Sequence, residues 1–404
     1  MGSIPFISKA DETMKAGEFP SHDNHEEDCA GNWQEHPQLR TRNASKSFHL
    51  SPGVNERIIS KVITDADFSP KVGLGLLIRL FERYYASALR RPVAVDRRIF
   101  TISTLKLAVG LRLGALGRRR RLRVLIVDGI NNHTWQIATA AIREILDNTG
   151  IFDVDVSTTP PAGSPESAWE AWRPDFKPYS AVIVNFNSGD NAKAVMWPQP
   201  IRDAFVAYVR EGGGMLSYHA ANNAFLLWPE YNQMIGMGWR PKSFGPSVHI
   251  GDHDEVIEVP AGQGFDPNHP PRFDFPIHVR DPHHPMTSGM PRVWMHPSEQ
   301  LTHGQHGPVD GFDFLTYARS PITQQNEPMD WVHTYGRGRV YVTMLGHTWV
   351  QEPSPDLECV GFQTLLSRGV EWIASGRVTI PIPTNFPTEN QISLRHFRCL
   401  DSQS

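Results

Sequence analysis

Apolar positions along this chain fall into two patterns with different periods. From Arg123 to Asp128 the run RVLIVD sets four consecutive apolar residues between two charged ones, which is how a strand buried on both faces reads. The loop Gly129–Thr134 follows. In Gln136–Asp147 the apolar residues Ile137, Ala141, Ile145 and Leu146 recur at helical spacing, and Asn148-Thr149-Gly150 supplies a stop. Phe152–Ser157, Ala181–Asn185 and Met215–His219 read as further strands. Pro200–Glu211 reads as a helix with proline in its first turn, closed by Gly212-Gly213-Gly214. Strands alternating with helices at this spacing predict an α/β fold, with a mostly parallel sheet and helices on both faces.

The pattern then lapses. Residues 225–330 are rich in Pro, Gly and His and have little helical period. Only Val256–Val259 and Ile277–Val279 read as short strands, so this stretch is expected to be a loop-rich, His-rich insertion covering one sheet edge. Regular patterning resumes with Trp331–Thr334 and Val340–Met344, which flank the hairpin signal Tyr335-Gly336-Arg337-Gly338. Val360–Ala374 closes the body as an amphipathic helix. Residues 1–70 are polar and aperiodic. Residues 71–122 carry helix-like stretches at 72–90 and 100–117, read either as a hairpin docked on the body or as an extension with little role. The predicted organisation is thus a polar extension (1–70), a basic, partly helical extension (71–122), a domain at 123–376 and a tail at 377–404.

Charge changes this picture in one respect. The 404-residue chain has a net charge of −4, unevenly spread. Residues 1–70 carry 7 Lys/Arg against 11 Asp/Glu, residues 71–123 carry 14 against 2, and the remainder carries 18 against 30. An acidic body argues against nucleic acid as the partner. The basic stretch, ending in Arg118–Arg121, reads as a solvated face or as a contact for an anionic surface. No apolar window is long enough for a transmembrane helix. The first residues lack the basic-then-apolar order of a secretory leader, which makes a cytoplasmic location the default expectation. The 3 cysteines, Cys29, Cys359 and Cys399, are too dispersed for a disulfide framework or a Cys-based zinc site.

The candidate chemistry lies in the histidines. Of 18 in the chain, 13 fall between His133 and His347. In an open α/β sheet, ligands bind beyond the carboxyl ends of the strands. The predicted strands put Asp128, Asn132, His133 and Trp135 there after the first, Asn185 after the third, Tyr218, His219 and Asn222 after the fourth, and His347 and Trp349 after the last. Imidazole serves as general base and as metal ligand. A divalent metal ion held by two or three of His133, His219, His249 and His347 is therefore expected, in competition with a set of ordinary hydrogen-bonded loop histidines. No HExxH is present. Ser217 lies within a strand without a Gly-x-Ser-x-Gly frame, and Cys359 has no histidine near it in sequence. Tryptophans and tyrosines beside Asn and Asp suit a sugar, whose C–H face stacks on a ring while its hydroxyls take hydrogen bonds. They equally suit anchors for long loops.

Four motifs in order, RVLIVDGINNHTW, FVAYVREGGGMLSYHAANNAF, DPHHPMTSGMP and YGRGRVYVTMLGHTW, followed by the helix RGVEWIASG, resemble the ThuA-like (trehalose utilisation) family from about Arg123 to Gly376. The resemblance implies a flavodoxin-like, class I glutamine amidotransferase-like fold. Where amidotransferases of this fold keep a nucleophilic cysteine, this chain has His219-Ala220, so Cys-dependent glutamine hydrolysis is not expected. The family's motif histidines fall on His133, His219, His284 and His347, with His249 as a looser match. Where its first loop shows Gly-His, this chain has Asn131-Asn132-His133. The resemblance further implies use of a sugar, glycoside or keto-sugar by hydrolysis, elimination or isomerisation. On this reading His219, His347 and Asp128 are catalytic candidates. Asn132, Trp135, Asn185, Tyr218, Asn222 and Trp349 would bind substrate, and His133, His249 and His284 would hold metal. The alternative is a non-catalytic sugar-binding or regulatory module. The expected partner is a small-molecule carbohydrate, with self-association into a homo-oligomer left open.

Overall fold

A computed structural model of the chain describes residues 121–189, 194–349 and 352–398. Of the extensions predicted at 1–70 and 71–122, all but residues 121–122 lie outside them, and Leu122 already belongs to the first strand. β1 (Leu122–Asp128) buries every side chain from Val124 onward. It pairs in parallel with β2 (Phe152–Thr158) on one side and β3 (Ala181–Val184) on the other. β3 pairs with β4 (Gly214–Tyr218), and β4 with β11 (Gly338–Thr343), again in parallel. The resulting order β2-β1-β3-β4-β11 is the doubly wound, flavodoxin-like arrangement with the chain's last strand in fifth place.

Helices lie on both faces of this half. α1 (Trp135–Asp147) turns Ala138, Ala141, Ile142, Ile145 and Leu146 inward. α2 (Glu166–Ala171) is a single short turn, and α3 (Gln199–Arg210) begins on Pro198 and Pro200. α4 (Pro229–Ile235) and α6 (Val360–Ser375), which follows the short α5 (Pro355–Glu358), sandwich β4, and adjacent residues prove it. The Ser217 hydroxyl meets Tyr231 of α4, whereas the Tyr218 ring meets Phe362 of α6. Successive side chains of a strand point to opposite faces.

The stretch expected to be loops instead extends the same sheet. β10 (Asn326–Tyr335) forms the predicted hairpin with β11, with Tyr335 opposite Gly338. The sheet continues antiparallel through β9 (Asp313–Arg319), β7 (Phe273–Val279) and β8 (Val293–Glu299). A hairpin of β5 (Ser247–Ile250) and β6 (Val256–Val259) branches from β10. The sheet is therefore mixed: parallel where helices cover it, antiparallel beyond β11. The apolar pattern there is broken by Pro276, Pro297 and Pro328 inside strands and by buried polar residues. Asp330, fully buried in β10, accepts hydrogen bonds from Thr316 and Tyr341, which removes the cost of an unpaired carboxyl.

Residues 377–398 lie against the body. Phe386 packs on Trp294, the Met295 amide donates to the Thr388 carbonyl, and Phe397 is buried.

Candidate functional site

Four loops at the carboxyl ends of the parallel strands meet over one cleft. After β4 the chain turns sharply. His219 adopts φ +44°, a left-handed conformation rare outside glycine, and starts a 3-10 turn at His219–Asn223. An imidazole thus occupies the elbow where related architectures present a nucleophile. Its Nδ1 lies 2.7 Å from the Met344 carbonyl, beyond β11. A carbonyl only accepts, so Nδ1 carries the proton and Nε2 presents a lone pair.

His347 stands three residues further along that segment. Its backbone N–H and that of Gly346 donate to Glu299 Oε2 at 3.3 and 2.6 Å. The ring is 1% exposed, and neither nitrogen has a hydrogen-bond partner among the described residues. His133 arrives from the loop after β1. Its Nδ1 faces Asn132 Oδ1 at 3.0 Å and Asn131 Oδ1 at 3.3 Å. The Asn132 oxygen also accepts from Asn187 Nδ2 at 2.6 Å, which fixes the amide's orientation. Nδ1 of His133 is therefore a donor, and its Nε2 is also left as a lone pair.

The three rings converge. Centroid distances are 4.8 Å (His133–His219), 4.7 Å (His133–His347) and 5.4 Å (His219–His347). One nitrogen from each lies within 4.8 Å of the others. Burial, reinforced by the neighbouring imidazoles, pushes His133 down to about 2 and His347 down to about 3. Burial lowers His219 as well. All three are neutral at ordinary pH.

Behind them lies a buried acid that sequence reasoning missed. Glu299 ends β8, and its Oε2 is 3.6 Å from His296 Nε2, an ion contact longer than a hydrogen bond. Burial alone would raise its carboxyl, but His296 outweighs that and holds it ionised. His296 is correspondingly raised: burial opposes its charge, and Cys359 and Glu299 overcome that opposition.

The cleft has a volume of about 740 Å³. Neutral hydrogen-bonding groups line it, including Asn132, Asn187, Asn222, Asn223, Gln300 and Thr302, together with Trp239 and Trp349. Trp349 is 44% exposed and lies parallel to His347, 5.9 Å between centroids. Arg272 also borders the cleft, but its donors are spent on the Ser298 and Pro353 carbonyls, Glu352 and Asp356.

Of the residues singled out in the sequence, His133, His219, His347, Asn132, Asn222 and Trp349 line the cleft together. Asp128, Trp135, Asn185 and Tyr218 lie beneath it. Asp128 is fully buried and accepts hydrogen bonds from Thr139 and Thr158, both 2.7 Å. Asn185 donates to the Trp135 carbonyl, and the Tyr218 hydroxyl donates to the Gly346 carbonyl. These residues brace the loops. His249 and His284 stand apart from the three clustered histidines. His249 lies on β5, in the hairpin branching from β10. His284 packs on Trp372 near the end of α6, whose next residue, Ile373, abuts Gly214 at the start of β4, the opposite strand end from His219.

The segment bearing Gln300 and Thr302 is tied down by a second buried acid. Glu327 accepts from Thr323 Oγ1 at 2.7 Å and from the Gly304 amide at 3.4 Å. Burial outweighs both bonds and raises it to about 7. Below pH 4.5 it is protonated whether the chain is folded or unfolded. Between there and pH 7 the unfolded chain ionises first, so stability falls as pH rises, by up to about 3 kcal/mol. In urea unfolding at pH 5 and pH 8, Glu327→Gln should gain on the wild type as pH rises, since the buried histidines shift both proteins alike. Parallel pH dependences in the two proteins would refute it.

Fold and site together define an amidotransferase-like α/β protein whose elbow bears histidine in place of cysteine. The family described as ThuA, trehalose utilisation, matches residues 123–373, and the chain belongs to it. A crystal structure of a ThuA-like protein from Parabacteroides merdae is 34% identical, with a TM-score of 0.63, covering 68% of this chain and 98% of that one. A second ThuA-like protein, from Bacteroides uniformis, is 18% identical with a TM-score of 0.41, covering 65% and 95%. No curated protein matches the chain. Among the described residues, no helix is long and apolar enough to cross a membrane.

Proposed function

We propose that this protein is an enzyme acting on a neutral carbohydrate, a glycoside or keto-sugar, at the three-histidine cleft. The observation that carries the reading is the convergence of three neutral imidazoles on the floor of a cleft walled by amides and tryptophans. The family's description as trehalose utilisation agrees with it. Amide side chains both donate and accept, as sugar hydroxyls do, and the exposed Trp349 ring offers a flat face to a C–H surface. Arg272 is already neutralised, which disfavours a phosphate or sugar acid. Free of metal, the Nε2 lone pairs of His133 and His219, presented side by side, accept hydrogen bonds from a substrate hydroxyl or water. The Asn132–Asn187 pair and the Met344 carbonyl hold the rings so that no reorientation is needed when charge develops.

The test is incubation of the full-length chain with neutral disaccharides, their keto derivatives and sugar phosphates, with products resolved by chromatography. Turnover confined to neutral sugars supports the reading. Binding by calorimetry with no product over long incubation would instead establish the binding-module alternative. Trp349→Ala should raise KM roughly 5- to 10-fold with a smaller change in kcat, the loss of one stacking contact of about 1–1.5 kcal/mol. An unchanged KM would remove Trp349 from the sugar site.

A further inference from the structure

We propose that His133, His219 and His347 are the protein ligands of a single divalent transition-metal ion with one position open to the cleft, and that Glu299 is the positioning residue behind them. The inference concerns the same cleft as the proposed function but stands on donor geometry alone.

Three observations carry it. The first is tautomer control. Acceptor oxygens of Met344, Asn131 and Asn132 fix the proton on Nδ1 of His219 and His133 and leave each Nε2 free. Metal-binding histidines are oriented by this kind of outer hydrogen bond. The second is His347. Burying an imidazole with no partner for either nitrogen costs about 1–3 kcal/mol, and coordination to an ion shared with its two neighbours offsets that cost. The third is spacing. The three nitrogens lie within 4.8 Å, and nitrogens sharing one ion sit roughly 3–4 Å apart, so a small inward tilt of the rings suffices.

An all-imidazole set selects zinc, copper, nickel or iron over magnesium or calcium, which take oxygen ligands. Three neutral ligands leave the ion's charge uncompensated. Glu299 grips the backbone of His347 itself, accepting from the amides of Gly346 and His347, and so fixes where that ligand stands. An ion there would lend Lewis acidity to a substrate oxygen.

The experiment is ion analysis of untreated full-length protein, then calorimetric titration of chelator-treated protein with Zn²⁺ alone. One ion per chain is expected. His133→Ala, His219→Ala and His347→Ala should each weaken Zn²⁺ binding at least 100-fold, while His249→Ala and His284→Ala match the wild type. Glu299→Gln should weaken it about 10- to 100-fold, and Glu299→Asp, which keeps the charge, should recover part of the loss. Melting of the metal-free variants separates these effects from misfolding. No Zn²⁺ binding by the wild type, or full binding in the three histidine variants, overturns the site. Wild-type affinity in Glu299→Gln overturns the role of Glu299. If neither Glu299 variant folds, the stoichiometry and the histidine variants still decide the site. Zinc binding without turnover would leave this inference standing and end the enzyme reading.

Discussion

Replacing His347 with alanine is expected to cut kcat/KM about 100- to 10,000-fold, the range spanned by loss of a positioned acid–base group, on whichever neutral glycoside or keto-sugar the wild type turns over. The melting temperature of the metal-free protein should hardly move. His347 is almost fully buried, yet its nitrogens satisfy nothing, so the alanine removes an unpaired polar group along with its packing. The loop itself stays in place, because Glu299 holds it through the backbone amides of residues 346 and 347. His219→Ala should lose comparable activity and somewhat more stability, since it also forfeits the bond to Met344. Steady-state kinetics beside thermal melting checks both. Turnover within threefold of wild type in the two variants would show that the cluster does not carry the chemistry.

The second large effect concerns Gly346, one residue earlier. It sits at φ +105°, and a Cβ there would lie 2.2 Å from the Tyr218 hydroxyl oxygen and 2.5 Å from the carbon bearing it. Two penalties coincide: a conformation that L side chains rarely adopt, and a clash with a ring buried against Phe362. Gly346→Ala should cost about 3 kcal/mol, or roughly 6–12 °C in Tm for a domain of this size. Activity should fall with it because His347 is displaced. Pairing the change with Tyr218→Phe removes the closer contact and should recover part of the stability but not all, since the ring carbon and the backbone strain remain. A Gly346→Ala protein with wild-type Tm would refute the close approach.

The parallel half of the sheet was legible because its strands are buried on both faces and therefore read as unbroken apolar runs, as in Val124–Val127 and Ala181–Val184. The antiparallel half was not. β8 interrupts its apolar residues with His296, Pro297 and Ser298, and β10 buries Asn326, Glu327 and Asp330. Polar residues satisfied by tertiary hydrogen bonds look, in sequence, like loop residues.

The same contrast governs the site. His133, His219 and His347 could be brought to one edge by the strand-end rule alone, with no motif joining them. Glu299 could not, because its strand went unrecognised and nothing in the sequence marks a glutamate that serves backbone amides. His249 entered as one of the clustered histidines and His284 through family resemblance, and the fold carries both to other parts of the molecule. Asp128, Asn185 and Tyr218 stand at the right strand ends but spend their polar atoms on holding loops. Proximity to the sheet edge is thus not sufficient for lining the cleft.

Strand β11 completes the parallel half by pairing Tyr218 with Thr343, more than a hundred residues later in the chain. During synthesis, β4 must wait on the ribosome with one edge bare while the whole antiparallel half emerges. Such distant pairing favours slow folding and exposes an edge that other chains can join. Truncation anywhere before Gly338 should therefore give insoluble material and not a smaller folded domain.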